Sequence, residues 1–202
     1  MTKVFFRAYA GTFLLLVAFA SISFAQTQPS AFPNVKIQNF GQMDVHYFRG
    51  AQPEVGDYQS LKDLGVNTII DLRNDPTDYE RREAEALGMK YVNIPMSGWK
   101  KPKDSDLETF LALVSNPDTG TIFVHCKAGI HRTGVAGAVY RFTKYGWDYD
   151  KAYQEMKNYN FSSGLVHGAL KSYVKGYAER MSEQKAAAPE AGAQAQTAIP
   201  GN

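Results

Sequence analysis

Five residues separate Cys126 from Arg132, and their surroundings constrain the fold more than any other feature of the chain. The apolar stretch Thr121-Ile122-Phe123-Val124 reads as a buried strand leading to His125-Cys126. Val135-Ala136-Gly137-Ala138-Val139-Tyr140-Arg141 reads as the helix that follows. A loop joining a strand end to a helix start turns successive backbone N–H groups inward and makes an anion nest. Here Lys127, Ala128, Gly129, Ile130, His131 and Arg132 supply it, and Arg132 adds a two-pronged donor suited to phosphate. The same positive field favours the Cys126 thiolate; such settings typically bring a thiol pKa to roughly 3.5–7.5. A nucleophile at the base of an anion cradle implies cleavage of phosphate esters.

His125-Cys126, Gly129 and Arg132-Thr133 resemble the active loop of the cysteine-dependent protein tyrosine and dual-specificity phosphatases. Tyr47-Phe48-Arg49-Gly50-Ala51-Gln52-Pro53 and Thr68-Ile69-Ile70-Asp71-Leu72-Arg73 are similar to the compact dual-specificity-like branch of bacteria, fungi and plants. The likeness runs from about residue 43 to 180. It implies Cys126 as nucleophile, Arg132 as stabiliser of the transition state and Thr133 as a hydrogen-bond partner that helps the sulfur leave as thiolate. His125 orders the loop around Cys126. The family also uses an aspartate, on a loop before the strand of the nucleophile, as general acid and then base. In this chain that loop is Met96 to Ser105, which makes Asp104 the first candidate and Asp106 the second, with Asp75 and Asp78 as further alternatives. Asp104 and Asp106 also suit a helix N-terminus for purely structural reasons. The Trp-Pro-Asp triplet of the larger tyrosine phosphatases is absent from the sequence.

The single cysteine of the chain is Cys126, so no internal disulfide can form. Lys3 and Arg7 precede an apolar run to Ile22, and Ser23-Phe24-Ala25 offers small residues for cleavage. Residues 1–25 therefore read as a secretory signal peptide, with an uncleaved anchor as the alternative. Export to the periplasm or medium is expected, with no membrane span after cleavage. Setting aside Lys3 and Arg7 leaves 20 basic residues against 20 acidic ones. Such a balance gives no bulk attraction to nucleic acid, and none is expected as a partner. Residues 26–33 read as a flexible leader, 34–181 as the catalytic domain and 182–202 as a disordered low-complexity tail, because only Ile199 among the last 21 residues is large and apolar.

Within the domain, Val35 to Phe40 and Asp44 to Phe48 read as opening strands around a turn at Gly41-Gln42. A helix near Asp57 to Leu64 follows, stopped by Gly65. Strands at 67–72, 90–95 and 121–125 alternate with helices. Thr77 with Glu80 and Ser105 with Glu108 have capping-box spacing. This alternation predicts an α/β single domain with a mostly parallel central sheet flanked by helices. In such sheets ligands bind beyond the carboxyl ends of the strands, where Cys126 falls. Two closing helices are expected, one from Asp148 and one spanning 165–181 with Val166, Leu170, Tyr173, Val174, Tyr177 and Met181 facing the core.

The four histidines, His46, His125, His131 and His167, lack metal-ligand spacing, and neither a metal nor another cofactor is expected. Lys127 and His131 make the loop more basic than catalysis requires, a pattern similar to loops that take inositol phosphates or phosphoinositides. Phosphorylated proteins and inositol phosphates both stay open as partners, and a monomer is expected. Arg73 stands at a strand end either near the pocket or in an ordinary salt bridge. A non-catalytic phosphate-binding module and a sulfurtransferase are the competing classes; the related sulfurtransferase loop typically has one residue fewer before its arginine.

Overall fold

The computed structural model describes residues 31–164 and 166–196, with side chains through residue 187. The expected signal peptide and most of the leader lie outside the described residues. From Phe32 onward the chain forms one compact unit around a five-stranded sheet. The strands are β1 (Gly41–Asp44), β2 (Tyr47–Ala51), β3 (Thr68–Arg73), β4 (Lys90–Met96) and β5 (Ile122–Cys126). Their spatial order is β1-β2-β5-β3-β4, with β1 antiparallel to β2 and all other pairs parallel. The strand that carries Cys126 is thus central. Val124 pairs with both Arg49 and Ile70, and Cys126 ends level with Ala51.

Every residue of β2, β3 and β5 is buried, because helices cover both faces of the sheet. On one face α1 (Tyr58–Asp63) and α2 (Asp78–Ala86) enclose Phe48, Ile69, Phe123, Leu61 and Ala84. On the other, α3 (Asp104–Ser115), α4 (His131–Tyr145), α5 (Tyr149–Asn158) and α6 (Gly168–Gln196) pack on Tyr47, Ile70, Leu72 and Val124. Helix α4 approaches the sheet closely because its inner residues are small: a Cβ on Gly137 would stand 3.0 Å from the Met43 methyl. It stops at Gly146, which takes the left-handed conformation.

The order of elements after residue 57 follows the sequence pattern, and three local expectations are corrected. The opening turn lies at Val45-His46, and Gly41-Gln42 belongs to β1, while Val35 to Phe40 is not a strand. Gly41 is small because Tyr159 occupies the space of a side chain, its hydroxyl 2.2 Å and its ring 2.6 Å from an added Cβ, and not because the chain turns there. Val166 is 56% exposed and precedes α6, whose buried stripe begins at Leu170 and continues through Tyr173, Val174 and Ala178. The expected unstructured segment from Ser182 is instead helical to Gln196. Alanine is the strongest helix former, so a stretch too poor in apolar bulk for a core can still extend a helix. Side chains from Ser182 to Ala187 are exposed.

Candidate active site

Cys126 stands at the carboxyl end of β5, buried but at the floor of a cleft of about 460 Å³. Lys127, Ala128, His131 and Arg132 from the loop line the cleft, with Asn74 and Asp75 after β3, Gly98 and Trp99 after β4, and His167 before α6. Ile130 is the cap residue of α4 and Thr133 lies in its first turn, so the helix begins inside the loop. Gly129 has φ +66°, and an added Cβ would lie 2.3 Å from the Gly50 carbonyl carbon. The loop therefore rests directly on the β2 backbone, which only glycine permits.

Burial alone would push the Cys126 thiol up. Hydrogen bonds from the Thr133 side chain and N–H, the charge of Arg132 and the Ile130 N–H outweigh it and hold the thiol below its ordinary range. The Thr133 hydroxyl is fully buried beside the sulfur. Arg132 is steadied from the side: Nη1 donates to Asn74 Oδ1 at 3.1 Å and to the Met96 carbonyl at 3.3 Å. The remaining donors of its guanidinium fork suit an oxyanion.

His125, next to Cys126 on β5, is wholly buried and stacked on Phe123 with ring centroids 5.6 Å apart. Its Nε2 lies 3.1 Å from Glu80 Oε2 and its Nδ1 3.9 Å from Asp71 Oδ1, ionic contacts without aligned hydrogen bonds. Glu80 is fully buried and accepts from Arg73 Nη1 and Thr77 Oγ1, each at 2.8 Å, from Gln52 Nε2 at 3.1 Å and from the Tyr58 hydroxyl at 3.2 Å. Burial raises its pKa, but contacts with His125, Thr77 and Arg73 prevail and hold it below the ordinary 4.5. Burial prevails at Asp71, whose pKa stays above 3.8 despite His125, the Tyr91 hydroxyl and the Arg73 N–H. Asp71, Glu80 and His125 have the composition of a metal site, with ligand atoms within 4.8 Å of one another. The Arg73 guanidinium, however, already stands where it neutralises Glu80, and hydroxyl and amide donors occupy the other lone pairs.

The loop residues expected from the sequence are thus brought together, and Arg73 serves the buried salt bridge. Asp104 is not with them. It opens α3, accepts from the Tyr173 hydroxyl at 2.6 Å and from Arg180 Nη2 at 3.3 Å, and lines a separate cleft with Glu108, Tyr177 and Arg180. Helix α3 begins one residue before the expected Ser105 cap and turns Asp104 toward α6. Asp106 and Asp78 also lie outside the Cys126 cleft, whose one lining carboxylate among the described residues is Asp75. Arg73 holds that loop by an Nε contact to Asp75 Oδ1 at 3.5 Å and a short hydrogen bond to the Asp75 carbonyl.

The sequence reading did not single out Asn74, Trp99 or His167 for the site. His167 stacks between His131, 3.4 Å between centroids, and Trp99 at 4.9 Å, and its Nδ1 lies 3.1 Å from the Gly98 carbonyl. Burial, then His167 and Arg132, lower the His131 pKa despite its contact with the Ser162 carbonyl. These residues come from three separate connections, and no spacing rule links them.

A family model described as "DSP-PTPase phosphatase fused to NAD+ Kinase" matches residues 24–174. The chain belongs to this dual-specificity phosphatase family. Among its relatives are the dual specificity protein phosphatases TpbA of two Pseudomonas aeruginosa strains. With strain UCBPP-PA14 the identity is 26% over 138 residues, covering 68% of this chain and 62% of the relative. With strain PAO1 it is 25% over 179 residues, covering 86% and 79%. The core catalytic domain of the Saccharomyces cerevisiae PP-IP phosphatase Siw14 superposes with a TM-score of 0.64 at 20% identity, covering 76% of this chain and 94% of that one. The P. aeruginosa TpbA structure gives 0.60 at 24%, covering 72% and 91%. These structural likenesses concern the fold.

Proposed function

We propose that the protein hydrolyses phosphate esters through a cysteinyl-phosphate intermediate. The observation that carries this reading is the Cys126 sulfur, at the floor of the cleft, surrounded by Thr133, the Ile130 N–H and Arg132. Sγ attacks phosphorus in line with the leaving oxygen while Arg132 and the loop N–H groups take up charge on the equatorial oxygens. The P–O bond breaks and the leaving oxygen takes a proton from Asp75, the carboxylate of the cleft. The Asp75 carboxylate then accepts a proton from water as that water attacks phosphorus. The P–S bond breaks, inorganic phosphate departs, and Thr133 stabilises the returning thiolate.

For substrate we infer a compact molecule bearing more than one phosphate, of the inositol phosphate class. Lys127 gives the cleft a second cationic side chain beside Arg132, more than one phosphate needs, and Siw14 is named as a PP-IP phosphatase. A second reading, phosphotyrosine in protein, draws on Trp99, 63% exposed at the rim, and on a TpbA structure holding phosphotyrosine. A monomer is proposed, with Cys126, Arg132 and Asp75 all supplied by one copy of the chain. We also infer export, from the charge and apolar pattern of residues 1–25; recovered protein should begin near Gln26 by intact mass, and full-length cytosolic chain would exclude it.

The test is phosphate release by purified protein from inositol phosphates, phosphoinositide vesicles and phosphotyrosyl and phosphoseryl peptides. Cys126→Ser should fold and bind phosphate yet show no turnover, because its hydroxyl is not ionised near neutral pH. Arg132→Lys should be severely impaired, since a point charge does not replace a planar fork. Substantial turnover by the serine variant would exclude the covalent route.

A further inference from the structure

Two side chains that the mechanism above does not use converge on one loop carbonyl. Arg49, on β2, is 1% exposed, and its Nη2 donates to the Gly129 oxygen at 2.7 Å. Asn39 donates to the same oxygen through Nδ2 at 2.8 Å. Both donors are themselves braced by Tyr159: its ring lies 3.9 Å from the Arg49 guanidinium carbon, and its carbonyl accepts from Asn39 at 3.1 Å. Asn39 adopts φ +53° and also accepts from Asn160 Nδ2 at 3.1 Å.

The described peptide bonds include none that is cis, so the N–H of the Gly129–Ile130 peptide points opposite to the clamped carbonyl. That N–H is the one Ile130 offers to the Cys126 sulfur. Gly129 has no Cβ, and its left-handed backbone is open to more than one orientation of the flanking peptide. Something must select the orientation that faces the nucleophile.

We propose that Arg49 and Asn39 are positioning residues: by holding the Gly129 carbonyl away from the cleft they fix the Ile130 N–H toward the sulfur and the bound anion. Arg49 also places a buried positive charge beneath the loop. Burial lowers the Arg49 pKa, and Tyr47, Tyr159 and Cys126 offset only part of that. Among the described residues, the charged and titratable groups around the sulfur are Arg49 from β2, Asp75 after β3, His125 on β5, Lys127 in the loop, His131 and Arg132 at the start of α4, and His167 before α6. The proposal rests on the phosphatase reading for its catalytic meaning, but its first readout needs no substrate.

The experiment uses Arg49→Lys and Asn39→Gly in the full protein. Lysine keeps the charge without the planar fork; glycine accepts φ +53° and removes only the amide. The rate of Cys126 alkylation by iodoacetamide is followed against pH, and inorganic phosphate affinity by calorimetry. In each variant the alkylation midpoint should rise by about one pH unit, a tenfold loss of thiolate on the acid side. Phosphate should bind about tenfold more weakly, with the far-UV spectrum unchanged. If Arg49→Lys does not fold, Asn39→Gly decides alone. A folded Asn39→Gly with unchanged alkylation profile and unchanged phosphate affinity would overturn the clamp. A protein that lacked phosphatase activity would still report the alkylation shift, so the two readings fail separately.

Discussion

Asp104 accepts its hydrogen bonds from Tyr173 and Arg180, whereas Asp75 lines the cleft of Cys126, and the two carboxylates should therefore respond differently to amidation. Asp75→Asn should slow esters with poor alkoxide leaving groups by ~10²–10⁴, the usual range for one acid–base group, and spare activated aryl phosphates. The high-pH limb of its rate profile should disappear. Asp104→Asn should leave both substrates and the profile nearly unchanged and cost about 1 kcal/mol or less, since Asp104 and Arg180 are solvent-exposed and asparagine still accepts from both Arg180 and Tyr173. The reverse outcome in a kinetic comparison would return the acid role to Asp104. At this scale the sequence was legible where chemistry is local: Cys126, Arg132 and Thr133 lie within one loop and turn. Arg49, Asn39 and Asn74 were not, because their meaning depends on a carbonyl or guanidinium brought from a distant part of the chain. Glu80 shows the same limit. Its spacing from Thr77 fits a capping box, yet the side chain turns inward, and Thr77 donates to it instead of capping the helix.

At the level of elements, Glu80 ties α2 to β3 through Arg73 and to β5 through His125. Strand–helix alternation fixed which elements exist, while this buried cluster helps to fix how α2 sits on the sheet. The pKa of Glu80 is depressed in the fold, so its contribution to stability is present above its unfolded value near 4.5 and is lost as pH falls through the lower folded value. Asp71, with a raised pKa, has the opposite sign and loses stability as pH climbs through its folded value. Glu80→Gln removes the charge but keeps the shape. It leaves Arg73 buried and only partly compensated, at an expected loss of about 2–4 kcal/mol near neutrality, by analogy with other broken buried pairs. Urea midpoints of parent and variant should converge as pH falls below 4.5 and through the depressed folded value, where the parent glutamate itself takes a proton. A stability gap that stays constant across that range would mean that the charge contributes nothing and that only packing was lost.

Across the whole molecule, the five-stranded α/β plan and the position of Cys126 beyond the strand ends were legible because buried strands and capped helices have short sequence periods. The start of the domain and its last helix were less so. A tyrosine contributed by Tyr159 makes a glycine necessary at position 41, and alanine propensity prolongs α6 where burial gives no signal. A pair of truncations separates the two kinds of helix contained in α6. Ending the chain after Met181 removes side chains that are exposed from Ser182 to Ala187, with Ile199 the only large apolar residue beyond. Unfolding free energy should change by no more than about 0.5 kcal/mol, as for surface changes generally, and phosphate release should be unaffected. Ending it after His167 removes Leu170, Tyr173, Val174 and Ala178, all buried against the α4 side of the core. Each large buried side chain lost costs about 2–5 kcal/mol, so the total is comparable with the roughly 5–15 kcal/mol that holds a typical domain. That shorter chain should show no cooperative thermal transition. If ending at Met181 abolished the transition as well, the far end of α6 would have to carry stability that its exposed face does not account for.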